Sequence, residues 1–175
     1  ALASQKRAAN AIEKGYFKDQ ITPVKITKKR EELAFDTDEH VRGETTADGL
    51  ASLRPAFDKE GQVTAGNSSG INDGAAALIL GNAEKVEKSN KSPLAKIVSY
   101  GFGGVAPRIM GMGPVPASKM ALERAGLKVS QIDIVESNEA FAAQACAVSK
   151  ELGLPSDIVN PNGGAIALGH PVGAT

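Results

Sequence analysis

Gly163-Gly164-Ala165-Ile166-Ala167-Leu168-Gly169-His170-Pro171-Val172-Gly173 is the most informative stretch of this 175-residue chain. Glycines bracket a short apolar run and stand directly before a histidine, and Pro171 stiffens the backbone just after it. Such a loop lets a backbone and one imidazole approach a ligand closely. Histidine gains and loses its proton nearest neutral pH, so it suits a base or an oxyanion donor. His170 is one of two histidines in the chain, and its glycine-rich setting favours function over plain packing.

Working outward, Gln131–Glu136 alternates apolar and polar residues and reads as a strand. Glu139–Leu152 reads as a helix, with Phe141, Ala145, Val148 and Leu152 on one face and a stop at Gly153. Ser137-Asn138-Glu139 lies at the junction, where α/β sheets bind ligands. Asn138 is either the cap of that helix or an amide that holds a substrate oxygen or a water. Earlier, Ala95–Tyr100 is strand-like, Gly101–Pro116 is a Gly- and Pro-rich structured loop, and Ala117–Ala125 is a helix closed by Gly126.

The first half reads as a helix over Ala1–Lys14 ended by Gly15, then a hairpin from Ile21–Thr27 to Leu33–Asp36 across a charged turn. Thr46–Phe57 has helical spacing broken at Pro55. Gln62–Asn72 is a loop, Gly74–Leu80 a buried strand, and Asn82–Ser89 a short polar helix. Strands alternating with helices predict an α/β sheet with parallel pairs. Charged residues crowd into residues 1–60, predicting an exposed region, and thin out over residues 99–175, predicting a Gly-rich core.

Lys+Arg and Asp+Glu both number 20, so the net charge is zero; a nucleic-acid binder normally carries a basic excess. The single cysteine excludes an internal disulfide framework and fits a reducing compartment. The longest apolar run, Ala75–Leu80, is far too short to span a bilayer. Ala1–Arg7 does not read as a signal peptide, having no apolar stretch after a basic start. Two histidines and one cysteine without short spacing give no expectation of a metal site. Cys146, mid-helix, is expected to be packed, and His40, between charged neighbours, to be exposed. Gly66-Asn67-Ser68-Ser69-Gly70 matches the G-x-S-x-G pattern of serine hydrolases, and Ser68, Asp133 and His170 follow the order of such a triad. That motif needs a strand before the serine and a helix after it, whereas a strand is read after Ser68.

Four blocks together resemble the thiolase family, and within it the short-chain acetyl-CoA acetyltransferases. They are Thr64-Ala65-Gly66-Asn67-Ser68-Ser69-Gly70-Ile71-Asn72-Asp73-Gly74-Ala75, Met110-Gly111-Met112-Gly113-Pro114-Val115-Pro116-Ala117, Asn138-Glu139-Ala140-Phe141-Ala142 and Gly163 to Pro171. Their order and spacing fit across the whole chain. The resemblance implies a layered α-β-α-β-α fold, of which this chain is only a part. Residues 1–70 would be the remainder of a loop domain covering CoA, residues 71–90 the last strand and helix of the N-terminal core, and residues 91–175 the first part of the C-terminal core.

The resemblance also implies the activity: two acetyl-CoA joined to acetoacetyl-CoA and CoA, or the reverse thiolysis. His170 would activate the nucleophilic cysteine and help form an oxyanion hole, and Asn138 would hold the water that completes it. Met110, Ala140 and Phe141 would line the pantetheine and acyl pocket. Ala65, Gly66 and Ser69 would lie along the pantetheine arm, and Arg42 beside the adenine. CoA thioesters are substrates, with no further cofactor, nucleic acid or membrane, in a cytoplasmic homo-oligomer, tetramer or dimer. The family's two catalytic cysteines fall outside the matched blocks, and Cys146 matches neither. The 175-residue chain alone is therefore expected to be inactive, poorly stable and prone to associate. Two alternatives stand beside this reading: a non-catalytic CoA-contacting or assembly piece, and a serine hydrolase using Ser68.

Overall fold

A computed structural model describes residues 1–174. Thr175, at the end of the Gly-rich stretch, lies outside the described residues.

The chain opens with helix α1, Leu2–Glu13, as its Ala-rich sequence predicts. Ser4, Gln5, Ala8 and Ala11 are its buried residues, a stripe at helical spacing. That stripe packs on a four-residue helix, Ala165–Leu168, in which Ala165, Ile166 and Ala167 are buried. The approach is close because the facing residues are small: a Cβ on Gly163 would stand 2.7 Å from Ala8 Cβ. The charge-rich first region thus supplies one side of the core rather than only a solvated surface. Lys6, Glu13 and Lys14 are exposed, whereas Arg7 reaches the second half and donates to Val159 O at 2.6 Å and Ser156 O at 2.7 Å.

The expected hairpin forms with shifted bounds, β1 (Val24–Lys28) against β2 (Glu31–Phe35), antiparallel, with Val24 opposite Phe35 and Lys28 opposite Glu31, so that Lys28, Glu31 and Glu32 belong to the strands and not to the turn. Lys29 and Arg30 make its turn, both at positive φ, as a two-residue turn matched to strand twist requires. The helix expected over Thr46–Phe57 is a single turn, α2 (Ala47–Ala51), whose cap Thr46 accepts from Gly49 N–H. It stops well before Pro55. Helix α3 (Ala83–Glu87) starts at Asn82, whose side chain accepts from Lys85 N–H.

The three internal strands are corrected. Gly74–Leu80 is not a buried strand: it pairs with no strand among the described residues, and Leu78, Ile79 and Leu80 are exposed at 84%, 102% and 75%. Ala95–Tyr100 likewise joins no sheet, with Ile97 and Val98 exposed. Gln131–Glu136 is reduced to one isolated parallel bridge between Val135 and Val159. Each segment has the apolar pattern of a strand, but a strand needs a neighbour to complete its hydrogen bonds. Among the described residues, parallel pairing survives only in that bridge and in one between Ile71 and His170.

Helix α4, Pro114–Ala125, begins three residues before the expected Ala117, with prolines in its first turn, a position that costs no hydrogen bond. Helix α5, Ala142–Leu152, packs on α4 and on the short 3-10 turn Pro107–Met112. Val115 of α4 and Val148 of α5 are buried. The four-residue helix Ala165–Leu168, α6, was not apparent in the Gly-rich sequence. Among the described residues no helix is long and apolar enough to cross a membrane.

Candidate functional site

The site is built where α6 ends. Gly169 follows α6 at φ +93°, a conformation that disfavours any residue with a Cβ. His170 comes next, bridged to Ile71, and its backbone N–H donates to Asn72 Oδ1 at 3.1 Å. The imidazole meets the Asn138 amide: Nδ2 lies 3.2 Å from Nε2 and 3.4 Å from Nδ1. An amide N–H can only donate, so this contact is a hydrogen bond where the facing ring nitrogen carries no proton. The two residues with expected catalytic roles are therefore neighbours, although 32 residues separate them in sequence.

Asn138 is not a helix cap. Helix α5 starts at Ala142 with Phe141 as its cap residue, so the Asn138 side chain is left for His170. Asn160 Oδ1 accepts from Ser137 N–H and its Nδ2 donates to Ser137 O, both at 2.7 Å. This pair of hydrogen bonds to the preceding residue fixes the segment that carries Asn138.

The 64–70 loop docks directly beside it. Ser69 N–H donates to Ala140 O at 2.9 Å and Ala142 N–H to Asn67 O at 2.8 Å, bracketing a bridge between Ser68 and Phe141. Residues of this seam line two open clefts, Ser68 and Ser69 the first and Ala140 and Phe141 the second. One, about 540 Å³, is lined by Arg42, Ala65, Gly66 and Ser69, together with His40 and Gln5. The other, about 710 Å³ and mostly apolar, is lined by Met110, Asn138, Ala140 and Phe141. Every expected binding residue lines one cleft or the other. Arg42 is held by its backbone, its N–H donating to Gln5 Oε1 at 2.7 Å.

Two expectations fail here. His40 is half-buried, not exposed: its Nδ1 lies 2.8 Å from the Ala167 carbonyl oxygen, and an acceptor oxygen at that place selects the Nδ1–H tautomer or the imidazolium. Its place between Glu39 and Arg42 hid a bond to a residue 127 positions away. Cys146 is exposed on α5 rather than packed; Val148, the buried residue of that helix, stands two positions on and so near the opposite side. Ser68 is half-buried and its hydroxyl donates to the Thr64 carbonyl at 2.8 Å. No helix follows it, so the nucleophile-elbow geometry is not formed.

Asn160, Ser4 and Gln5 carry no marked signal in the sequence, and Asn72 is marked there only as one member of the Thr64–Ala75 block. Ser4 Oγ accepts from Gly164 N–H at 2.9 Å, and Gln5 Nε2 donates to Ile166 O at 3.3 Å. The only local hints were polar residues inside otherwise apolar or Gly-rich runs. Nearby, burial first and the Glu139 carboxylate second raise the Glu136 carboxyl above its ordinary value. Among the described residues no group of three or more His, Cys, Asp or Glu is placed to hold a metal ion.

Known proteins resemble the chain along its whole length. The family profile described as thiolase, N-terminal domain, matches residues 1–84, and that described as thiolase, C-terminal domain, matches residues 91–175. The beta-ketothiolase BktB of Cupriavidus necator is 58% identical over 176 residues, covering 100% of this chain and 45% of its own length. The acetyl-CoA acetyltransferase of Escherichia coli is 55% identical over 175 residues, covering 100% of this chain and 44% of its own length. The chain thus spans less than half the length of these relatives. The crystal structure of Bacillus anthracis acetyl-CoA acetyltransferase superposes with a TM-score of 0.92 at 51% identity, over 98% of this chain and 44% of that one. Human mitochondrial 3-ketoacyl-CoA thiolase in complex with CoA gives a TM-score of 0.90 at 48% identity, over 99% of this chain and 43% of that one.

Proposed function

The chain belongs to the thiolase family, and from that premise we propose that it is part of an acetyl-CoA C-acetyltransferase. The whole enzyme condenses two acetyl-CoA to acetoacetyl-CoA and CoA, or runs the reverse thiolysis. The observation that carries this reading is the contact between His170 and the amide of Asn138, a residue that lines the apolar cleft.

In thiolysis the ketoacyl thioester gives up acetyl-CoA as a carbanion-like enolate, and the remaining acetyl group passes through a cysteine thioester to CoA. Fixed donors stabilise such developing negative charge best, since they need no reorganisation during reaction. His170 activates the nucleophile and helps stabilise the oxyanion, and Asn138 holds the water that completes the hole. Met110, Ala140 and Phe141 form the acyl and pantetheine side, Ala65, Gly66 and Ser69 the pantetheine arm, and Arg42 meets the adenine or phosphates. Residues 1–70 cover CoA, residues 71–90 complete the N-terminal core, and residues 91–175 begin the C-terminal core. The enzyme is cytoplasmic and a dimer or tetramer, using CoA thioesters as substrates with no separate cofactor. Cys146, mid-helix and exposed, has no catalytic role in this reading. The reacting cysteines belong to other segments of a longer chain.

The test is consumption of acetoacetyl-CoA. The full-length protein should consume it only with free CoA present, and the 175-residue chain alone should not. Consumption by water without CoA, abolished by Ser68→Ala, would replace thiolysis with hydrolysis.

A further inference from the structure

We propose that two asparagines, Asn72 and Asn160, are the positioning residues of this site, each holding one of the two side chains that meet there. The inference rests on the thiolase reading for the roles of His170 and Asn138, and goes beyond it in assigning what aims them.

The His170 ring and the Asn138 amide arise from segments that no regular ladder joins. One carboxamide substitutes for a strand partner at each. Asn72 Oδ1 accepts the backbone N–H of His170 at 3.1 Å. The same side chain packs under Gly169, where a Cβ would lie 2.6 Å from Asn72 Oδ1. The turn at Gly169, already at φ +93°, is therefore clamped against Asn72, and the backbone that carries the imidazole has one position. Asn72 is itself confined on its far side, since a Cβ on Gly70 would strike both Asn72 Oδ1 and His40 Nε2.

Asn160 does the equivalent for Asn138. It is 1% exposed. Its φ of +47° is one that asparagine tolerates better than most residues. From there its side chain bonds both the N–H and the C=O of Ser137 at 2.7 Å, as a strand would. Its own backbone N–H donates to Val135 O at 2.9 Å. Residues 135 and 137 are thereby fixed, and Asn138 follows directly.

The two anchors differ in a way that separates positioning from mere stability. Asn72 serves the His170 turn as an acceptor, which aspartate also supplies. Asn160 needs both its acceptor and its donor, and an aspartate there sets a carboxylate oxygen against the Ser137 carbonyl. The experiment is thiolysis of acetoacetyl-CoA by the full-length protein and four variants. Asn72→Ala, Asn160→Ala and Asn160→Asp should lower kcat by about 10- to 100-fold with KM for CoA within about twofold, as for a reacting group misplaced by about an ångström or less. Asn72→Asp should restore kcat to within about threefold of wild type. Its rate profile should move to higher pH, because a carboxylate beside the turn favours the imidazolium.

Wild-type kcat in Asn72→Ala or in Asn160→Asp overturns the proposal. So does an Asn72→Asp variant as impaired as Asn72→Ala with an unmoved profile. Long-range proton–nitrogen NMR of the His170 imidazole supplies a readout free of turnover. Its resonances should shift in Asn72→Ala, and unshifted resonances overturn the positioning role. A wild-type protein without thiolysis but with shifted resonances in Asn72→Ala refutes the thiolase reading and leaves the positioning intact.

Discussion

Residues 64–72 and 74–80 adjoin in sequence and behave oppositely. In the first, Thr64 N–H donates to Asn67 Oδ1 at 2.8 Å, Ser69 bonds Ala140, and Asn72 bonds His170. In the second, the chain joins no sheet among the described residues and its large apolar residues face solvent, Ile79 at 102%. The second is the more hydrophobic and the less buried. A loop rich in Asn, Ser and Thr brings its own hydrogen-bond partners, whereas a strand must borrow them. The site therefore sits on the region that supplies its own partners.

The sharpest way to break that comparison is hydrogen exchange on the 175-residue chain. Amides of residues 75–80 and 95–100 should exchange at unprotected rates, while Ser69, Gly164 and His170 should be slowed by at least about 100-fold. Equal protection in both groups would refute the contrast. The same exposed segments predict association and a broad melt; a single cooperative transition of a monomer would contradict it.

Where α1 meets α6, Gly163→Ala should destabilise by about 2–4 kcal/mol, by strain and overpacking together. Gly163 has φ +92°, and its Cβ would lie 2.7 Å from Ala8 Cβ and 3.0 Å from Ser4 O. A denaturant midpoint unchanged from wild type would show that α1 and α6 are not so tightly joined. Ser4→Ala leaves the buried Gly164 N–H without its acceptor and should cost about 1–3 kcal/mol in the same titration.

Arg42→Ala should raise KM for CoA about two- to fivefold in the full-length protein, with kcat unchanged, as loss of an exposed cation–aromatic contact implies. Equal KM values would remove Arg42 from the CoA path. Glu136→Gln is the smallest change. The Glu136 carboxyl is raised, by burial first and Glu139 second, so its ionisation is harder folded than unfolded. Stability linked to this group is full below the unfolded value and is lost as pH rises through the folded one. Glu136→Gln should therefore raise Tm slightly at neutral pH and not at acidic pH; the reverse order would place the carboxylate in a favourable setting.

The elements legible in the sequence were those whose causes are local. Thr46 and Asn82 start helices, Gly126 and Gly153 end them, and the hairpin follows from alternation around a charged turn. His170 and Asn138 are singled out by a glycine-rich setting and an expected strand end, and the structure brings the two side chains together. The supports of that pair were not legible. Asn72 meets a backbone 98 residues away, and Ser4 one 160 residues away, and nothing local to either residue encodes the partner. Asn138 was open to reading as a cap because the Asn-before-helix pattern is local, whereas the helix start at Ala142 depends on docking by Asn67 and Ser69. Burial of Gly74–Leu80 failed for the converse reason: hydrophobicity records a preference for cover without supplying it.

The central claim is that His170 acts in thiolysis at a site shared with Asn138. Its most direct test is the rate of CoA-dependent acetoacetyl-CoA cleavage by the full-length protein carrying His170→Ala. The account predicts a fall in kcat on the order of 10²- to 10⁴-fold, the contribution of a positioned acid–base group, with KM for CoA little changed. A His170→Ala protein that turns over like wild type would contradict it.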